Sequence, residues 1–274
     1  MVGPEEMISD DSAQSRQARQ TDRRNAITEA VMAAGSIRIS ELAERFDIST
    51  MTVHRDLDEL ESRGLLRKNR GVASALSTGL VESSDVYRAS REISEKRALA
   101  LAALEFVEPG QAIMLDDSTT SLHLVPHLQE KRPLTVITNT LTVMNELRSV
   151  TGITLLGLGG QYYNWCSAYM GRITTAAIAG LRADVLVMST SAITDGVAFH
   201  QTMETVDVKR AMFDAASRRI LLADHTKFDK RALHAMQPLA DFDAVIVDAA
   251  TDKRHIADLR QIGVNVVIAP RSRA

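Results

Sequence analysis

One cysteine, Cys166, stands among 274 residues, so no intrachain disulfide can form. With neither a second cysteine nor an activating histidine close in sequence, it reads as a buried thiol. Nowhere do about 18 consecutive apolar residues occur, which excludes a membrane-spanning helix. The first 20 residues are polar and charged and lack the apolar stretch of a signal peptide, so a cytoplasmic location is expected. Nucleotide signatures are missing too. Gly157-Leu-Gly-Gly160 falls short of the dinucleotide fingerprint, and no phosphate loop ending in Gly-Lys-Ser or Gly-Lys-Thr occurs. His123 and His127 have the spacing of a metal-binding helix, but Pro126 disturbs the turn between them and no third ligand is near, so neither a metal nor another cofactor is expected. Basic charge is scarce as well: the net charge of -3 argues by itself against a nucleic-acid partner.

Local charge argues differently. Arg16 to Arg70 holds 11 Lys and Arg against 9 Asp and Glu, whereas the first 15 residues carry four carboxylates and no cation. Inside that first region, Ile39, Leu42, Ala43 and Phe46 fall at i, i+3, i+4 and i+7, one apolar stripe of a short helix. Asp47-Ile48 turns the chain, Ser49 is suited to cap a second helix, and Val53, Leu57 and Leu60 form that helix's inner stripe. Ile27, Ala30, Val31 and Ala34 supply a third helix upstream, enough to close a winged helix-turn-helix core.

The face of the Ser49 helix opposite its apolar stripe carries Met51, Arg55 and Ser62, flanked by Thr52 and His54. Recognition helices read base edges through their N-terminal residues, so Ser49, Thr50, Met51, Thr52, His54 and Arg55 are the candidate DNA contacts. Arg55 has the geometry to fork onto guanine or to clamp a phosphate. Beyond Leu60, Arg63, Arg67, Lys68 and Arg70 follow one another without a carboxylate up to Gly71, which reads as a basic wing along the phosphate backbone. The small local excess of charge implies weak binding by one copy, and hence a homodimer or homotetramer on double-stranded DNA.

Met1 to Gln20 reads as a disordered tail, 21–76 as the winged helix-turn-helix domain, and 77–91, rich in Ser, Ala and Gly, as a linker. From 92 to 274 the pattern is α/β. A helix over Glu92 to Phe106, with Ile93, Ala98, Leu101, Ala102 and Leu104, precedes seven short apolar runs. These are Ala112–Leu115, Leu134–Ile137, Ile153–Leu156, Val185–Met188, Ile220–Ala223, Ala244–Val247 and Val264–Ile268, and they predict an open, mostly parallel sheet covered on both faces. Ligands bind such sheets beyond the carboxyl ends of the strands. Four of those ends are rich in polar residues or glycine: Asp116-Asp117-Ser118-Thr119-Thr120-Ser121 at a helix start, Thr138-Asn139, Gly157-Leu-Gly-Gly160, and Asp224-His225-Thr226-Lys227. Trp165, Tyr162 and Tyr163 suit either a pocket wall or partial core burial.

From Arg23 to Val267 the chain resembles the DeoR-type transcriptional regulators. The first part of the match is Arg24, Ile27, Leu42, Ala43, Phe46, Ser49, Thr52, Val53, Arg55, Asp56, Leu57, Leu60, Gly64 and Arg67. The second is Leu115 to Thr120, Thr138-Asn139, Gly159-Gly160, Ser167 with Gly171, Val208 to Met212 and Ala223 to Phe228. The resemblance implies a sensor domain with the fold of ribose-phosphate isomerases and CoA transferases, bound by a phosphorylated sugar or related metabolite. By the same resemblance Asp116, Asp117, Ser118, Thr119, Thr120, Thr138, Asn139, Gly159, Gly160, Lys209, Asp224 and Lys227 form its pocket. Two departures stand out: His54 replaces a usual arginine, and Gly71-Val72-Ala73 replaces Gly-Gly-Ala. The function implied is repression of carbohydrate catabolic genes, relieved when the metabolite favours an arrangement that misplaces the paired DNA-binding domains. An activator or a corepressor-dependent regulator fits the same residues. An isomerase-like enzyme is the alternative, with Asp116, Asp117, Asp195 or Asp224 as nominal acid or base, but the residues form no assignable catalytic constellation.

Overall fold

Residues 20, 22–31, 34–62, 66–75, 85–89 and 91–271 are described by a computed structural model of the chain. The tail expected over 1–20 therefore lies outside the described residues apart from its last position, and so does Arg63 of the wing. The chain divides into two units, Met1–Ser77 and Thr78–Ala274.

The first unit begins with helix α1 (22–31) and strand β1 (Ser36–Arg38). Helices α2 (Ile39–Arg45) and α3 (Thr50–Ser62) follow, then strands β2 (Leu66–Asn69) and β3 (Val72–Ala75). Ile27, Ala30 and Val31 of α1 meet Ile39 and Leu42 of α2 and Val53, Leu57 and Leu60 of α3 in one buried cluster, closed beneath by Leu66 and Ala73. That is the arrangement the apolar spacing predicts, with Ala43 and Phe46 half-buried at its margin and Ala34 exposed. The strands form an antiparallel sheet in the order β1-β3-β2. Asn69 pairs with Val72, leaving a two-residue turn of Arg70 and Gly71, both at positive φ (43° and 80°), whose twist suits a tight hairpin. The wing is thus a real β-hairpin.

The second unit starts with α4 (Asp85–Ala89) and α5 (Ile93–Leu104). Then come β4 (Ala112–Leu115), α6 (Thr119–Leu122), β5 (Leu134–Thr138), α7 (Leu141–Leu147) and β6 (Ile153–Gly157). A hairpin of β7 (Gln161–Tyr163) and β8 (Ala168–Met170) leads through α8 (Arg172–Ala179) to β9 (Ala183–Ser189). The remainder is β10 (Ala192–Thr194), β11 (Val197–His200), α9 (Met203–Ala215), β12 (Ala216–Ala223), β13 (His234–Pro238), β14 (Ala244–Val247), α10 (Lys253–Gln261) and β15 (Val266–Ile268).

The seven apolar runs are the seven strands of one parallel sheet, ordered β15-β14-β12-β9-β4-β5-β6. Because side chains alternate along a strand, each strand feeds two cores. Ile113, Leu115, Val185, Val187, Ile220 and Leu222 face Leu99 and Ala103 of α5 and Val143 and Leu147 of α7. Met114, Leu186, Met188, Leu221 and Val245 face Ile178 of α8, Val206 and Met212 of α9 and Ile256 of α10. The chain runs outward from β4 through β5 to β6, then returns and runs the other way from β9 through β12 and β14 to β15. The strand order reverses between β4 and β9, and a crevice opens beyond the carboxyl ends of strands that diverge in this way.

Two expectations change. Within 77–91, Asp85–Ala89 is helical and is tied to the second unit, where the Asp85 amide donates to the Trp165 carbonyl (2.9 Å). On α5, Ile93 (54% exposed) and Leu101 face outward while Lys96 (3% exposed) faces in, because the inner stripe runs through 96, 99, 100 and 103.

Candidate functional site

In the first unit, α3 is held from behind. Asp56 of α3 is buried and accepts from Arg23 Nε (2.7 Å) and Arg24 Nε (2.9 Å) of α1. Burial alone pushes its carboxyl up, and the hydrogen bonds and charges of the two arginines more than offset this, leaving it below the usual carboxylate range. At the front, the Ser49 hydroxyl accepts from the Thr52 amide (3.2 Å) and caps α3. Thr50, Met51 (63% exposed) and Arg55 are exposed, with Thr52 and His54 half-buried beside them. On the wing, Arg67 and Arg70 are exposed, whereas the Lys68 ammonium is paired with Asp58 of α3 and its amide donates to Glu61 (3.0 Å). The run without a carboxylate is therefore not a run without a counter-charge. The acidic second half of α3 lies against β2 and engages the middle cation.

The second unit holds a pocket of about 290 Å³, open solvent included, at the β4/β9 reversal. Ser118, Thr119 and Thr120 line it from the loop after β4, and Ser189, Thr190 and Ser191 from the end of β9 and the residues after it. Arg88 of α4, His200 of β11, Lys209 of α9 and Lys227 after β12 complete the wall.

Asp116 organises this floor without lining it. One carboxylate oxygen accepts from the Ser118 amide (3.2 Å), the Ser118 hydroxyl (2.6 Å) and the Ser121 hydroxyl (2.7 Å). The other accepts from the Ser189 amide (2.9 Å) and from Lys209 Nζ, so Asp116 joins the β4 loop to β9 across the crevice. Lys209 also reaches Asp117 (3.1 Å) and the Ser189 carbonyl (3.2 Å). Desolvation works against charge on both Lys209 and Asp117, yet mutual attraction prevails: the ammonium is held above its ordinary range and the Asp117 carboxyl below its own. Lys209 thus serves two carboxylates, and other cations stand around the same space.

They gather on the opposite side. Lys227 lies 3.7 Å from Asp224, whose carboxylate accepts from the Thr226 amide (3.1 Å) and hydroxyl. Burial pushes the Asp224 carboxyl up, but Lys227, the Thr226 bonds, Lys230 and Lys96 together hold it below the usual range. Lys96 donates to the Thr119 hydroxyl (3.1 Å) and to the Arg88 carbonyl. Burial, then the nearby Lys227, push the Lys96 ammonium down to about 8, opposed by Asp224.

Of the residues nominated from sequence, Ser118, Thr119, Thr120, Lys209 and Lys227 line this pocket, and Asp116, Asp117 and Asp224 bond to its lining or stand beside it. Thr138, Asn139, Gly159 and Gly160 are not in that lining. Thr138 accepts from the Thr140 amide, and Asn139 donates to the Tyr169 carbonyl. The Gly159 carbonyl accepts from Thr174 (2.8 Å). Gly160 (φ 154°) lies so close to α8 that a Cβ would sit 2.1 Å from Thr174 Oγ1 and 2.7 Å from the Met170 carbonyl oxygen, a packing reason for glycine. Asp195, nominated as an acid or base, is exposed in the β10–β11 turn. Trp165 and Tyr163 pack against the core, and Tyr162 is exposed beside Tyr169. Sequence reasoning missed Arg88, Lys96, His200 and Ser189–Ser191. For Lys96 the signal was a lysine on a buried helical stripe, and for the hydroxyl trio it was their position at a strand end.

A helix with a polar, exposed N-terminal face on a winged core, and a second α/β unit with a polar pocket at its strand-order reversal, define a ligand-responsive DNA-binding regulator. The sequence profile of the DeoR C terminal sensor domain matches residues 91–249, and that of the DeoR-like helix-turn-helix domain matches residues 23–78. The chain belongs to the DeoR family of transcriptional regulators, and it is a regulator rather than an enzyme. It is 30% identical to the transcriptional repressor AccR of Agrobacterium fabrum (strain C58), over 84% of this chain and 90% of that one. It is 32% identical to a lactose phosphotransferase system repressor of Staphylococcus epidermidis, over 83% and 91%. Among solved structures, ribose 5-phosphate isomerase A of Methanocaldococcus jannaschii matches 48% of this chain and 53% of its own at 14% identity, with a TM-score of 0.36. Among the described residues no helix is long and apolar enough to cross a membrane.

Proposed function

We propose that the chain represses carbohydrate catabolic genes as a homodimer or homotetramer, and that a phosphorylated sugar or related metabolite in the second unit's pocket releases it from its operator. One observation carries the reading of the ligand: the side chains of Arg88, Lys209 and Lys227 line one pocket together with six hydroxyl-bearing residues, so cationic and hydroxyl groups converge on the same space. A phosphate suits the cations, and sugar hydroxyls suit Ser118, Thr119, Thr120, Ser189, Thr190 and Ser191, whose groups both donate and accept. A relative that represses a lactose phosphotransferase system supports a carbohydrate theme.

On the DNA side, Ser49, Thr50, Met51, Thr52, His54 and Arg55 enter the major groove, while Arg67 and Arg70 run along phosphates. Lys68 joins them where phosphate displaces Asp58. Effector and DNA are linked because any ligand that binds the non-operator arrangement better lowers operator affinity by that same ratio. Lys227→Met tests the pocket. Electrophoretic shift of the protein's own promoter DNA is expected to be unchanged, while its release by a panel of hexose and pentose phosphates is lost. Release by those compounds at wild-type concentrations would overturn the assignment, as would release by the unphosphorylated sugars alone.

A further inference from the structure

We propose that Lys96 is a relay, the residue through which occupancy of the pocket tightens α4, the first described helix after the chain leaves the DNA-binding unit. The inference rests on the reading of the pocket as an anion-binding effector site. Lys96 sits on the buried stripe of α5 and its ammonium is shared between two groups that belong to that pocket: the hydroxyl of Thr119 (3.1 Å) and the main-chain carbonyl of Arg88 in α4. No carboxylate among the described residues forms an ion pair with it. A buried ammonium without a carboxylate in direct contact is held in its charged state only weakly.

The groups facing Lys96 are mostly of its own sign. Lys227 and Lys230 approach from the segment after β12 and Arg88 from α4, with Asp224 as the opposing charge; His123, just past α6, is itself pushed down by burial and then by Lys96. Burial first, and then these repulsions, leave the Lys96 ammonium at about 8, so an appreciable fraction is neutral in mildly alkaline solution. An anion seated beside Lys227 and Thr119 adds negative charge to that of Asp224. Lys96 then takes up a proton, and the ammonium is a stronger donor to the Arg88 carbonyl than the amine.

What it holds is small. α4 has five residues, and its ties include the Asp85 amide on the Trp165 carbonyl (2.9 Å), the Arg91 amide on the Arg88 carbonyl (3.3 Å) and the Arg88 guanidinium over the Trp165 ring (5.9 Å). In a helix this short, one strengthened bond changes how often it opens. The pocket grips the same residue twice, through the side chain of Arg88 in its wall and through the carbonyl that Lys96 holds.

The test uses full-length protein and inorganic phosphate against chloride at matched ionic strength. Hydrogen exchange of amides 85–89 is expected to slow at least threefold with phosphate at pH 8, and calorimetry in buffers of different ionisation enthalpy is expected to register proton uptake on binding. In Lys96→Met, phosphate still raises the melting temperature but both responses vanish. In Lys96→Arg, whose charge is permanent, the α4 amides are protected even without phosphate and proton uptake disappears, so either variant alone is decisive. Wild-type slowing and uptake in Lys96→Met, or phosphate binding that leaves α4 exchange unchanged in the wild type, overturns the relay while sparing the site. Absence of phosphate binding in the wild type, or undiminished binding in Lys227→Met, overturns the site reading and the relay with it.

Discussion

Replacing Lys209 with methionine removes the charge that pairs directly with two buried carboxylates. Asp116 retains four other donors, from Ser118, Ser121 and Ser189, but Asp117 loses the ammonium 3.1 Å away that neutralises it. Breaking a buried pair from one side costs about 3–5 kcal/mol, and the donors left to Asp116 place this case near 4 kcal/mol on that scale. Trp165 is the chain's single tryptophan and lies in the second unit, so its fluorescence in urea reports that unit alone. With a slope of about 2–3 kcal/mol per molar urea, the midpoint is expected to fall by roughly 1.5 M. Adding Asp117→Asn removes the stranded charge and returns about half of the loss.

The pH dependence carries its own sign. In the wild type Asp117 is depressed below 3.8, so its contribution is present above that value and lost as pH falls through the folded-state titration; Lys209 is raised above 10.5, so its contribution is present below that value and lost above it. In Lys209→Met the Asp117 carboxyl is raised instead, and the penalty grows as pH climbs from 5 to 8. A midpoint within about 0.3 M of wild type, or a penalty independent of pH, would refute the reasoning that the triad holds the floor together.

Asp56→Asn is expected to lower the stability of the first unit by about 2–3 kcal/mol, short of a fully buried pair because both arginines are partly solvated, and faster hydrogen exchange in α3 measures it. Since the Asp56 carboxyl is held below 3.8, that contribution is present above this pH and lost as acid protonates it. Lys96, brought from 10.5 to about 8, makes the folded state bind fewer protons than the unfolded one across that window, so stability rises with pH there. Below pH 8 the penalty is about 3 kcal/mol, and Lys96→Met is expected to gain on the wild type at pH 7 relative to pH 10, read from Trp165 urea midpoints. Arg55→Ala is expected to cost about 1–3 kcal/mol of operator binding through a lost base contact, read from titrations at fixed salt.

Both folds were legible because each rests on a short-range rhythm. The i, i+3, i+4, i+7 spacing of Ile39 to Phe46 and the seven apolar runs correspond to physical stripes and strands, and every run became a strand of the same sheet. The pocket was legible in half. The strand-end rule pointed to Ser118–Thr120 and Lys227, but without the strand order it could not distinguish ends at the reversal from ends at the margin. Thr138 ends β5 and Gly159 follows β6, on the outer side of β4, and the partner across the crevice is β9, whose trailing Ser189-Thr190-Ser191 is as polar as the others. Arg88 carries no signal in a Ser- and Ala-rich stretch, because its place is fixed by Trp165 and Lys96, far along the chain or a helix away. The charge on the wing misled for a similar reason: Asp58 is ten residues from Lys68 in sequence and in contact with it in space.

On the proposed reading, helix α3 separates its two tasks by side. Val53, Asp56, Leu57 and Leu60 hold the domain, and none of Thr50, Met51 or Arg55 belongs to that buried set. Exchange at the outward positions should shift stability by no more than about 0.5 kcal/mol. Descendants of this chain are therefore at liberty to acquire a different address on the chromosome one substitution at a time, while the scaffold that presents the new vocabulary melts at nearly the same temperature as the old.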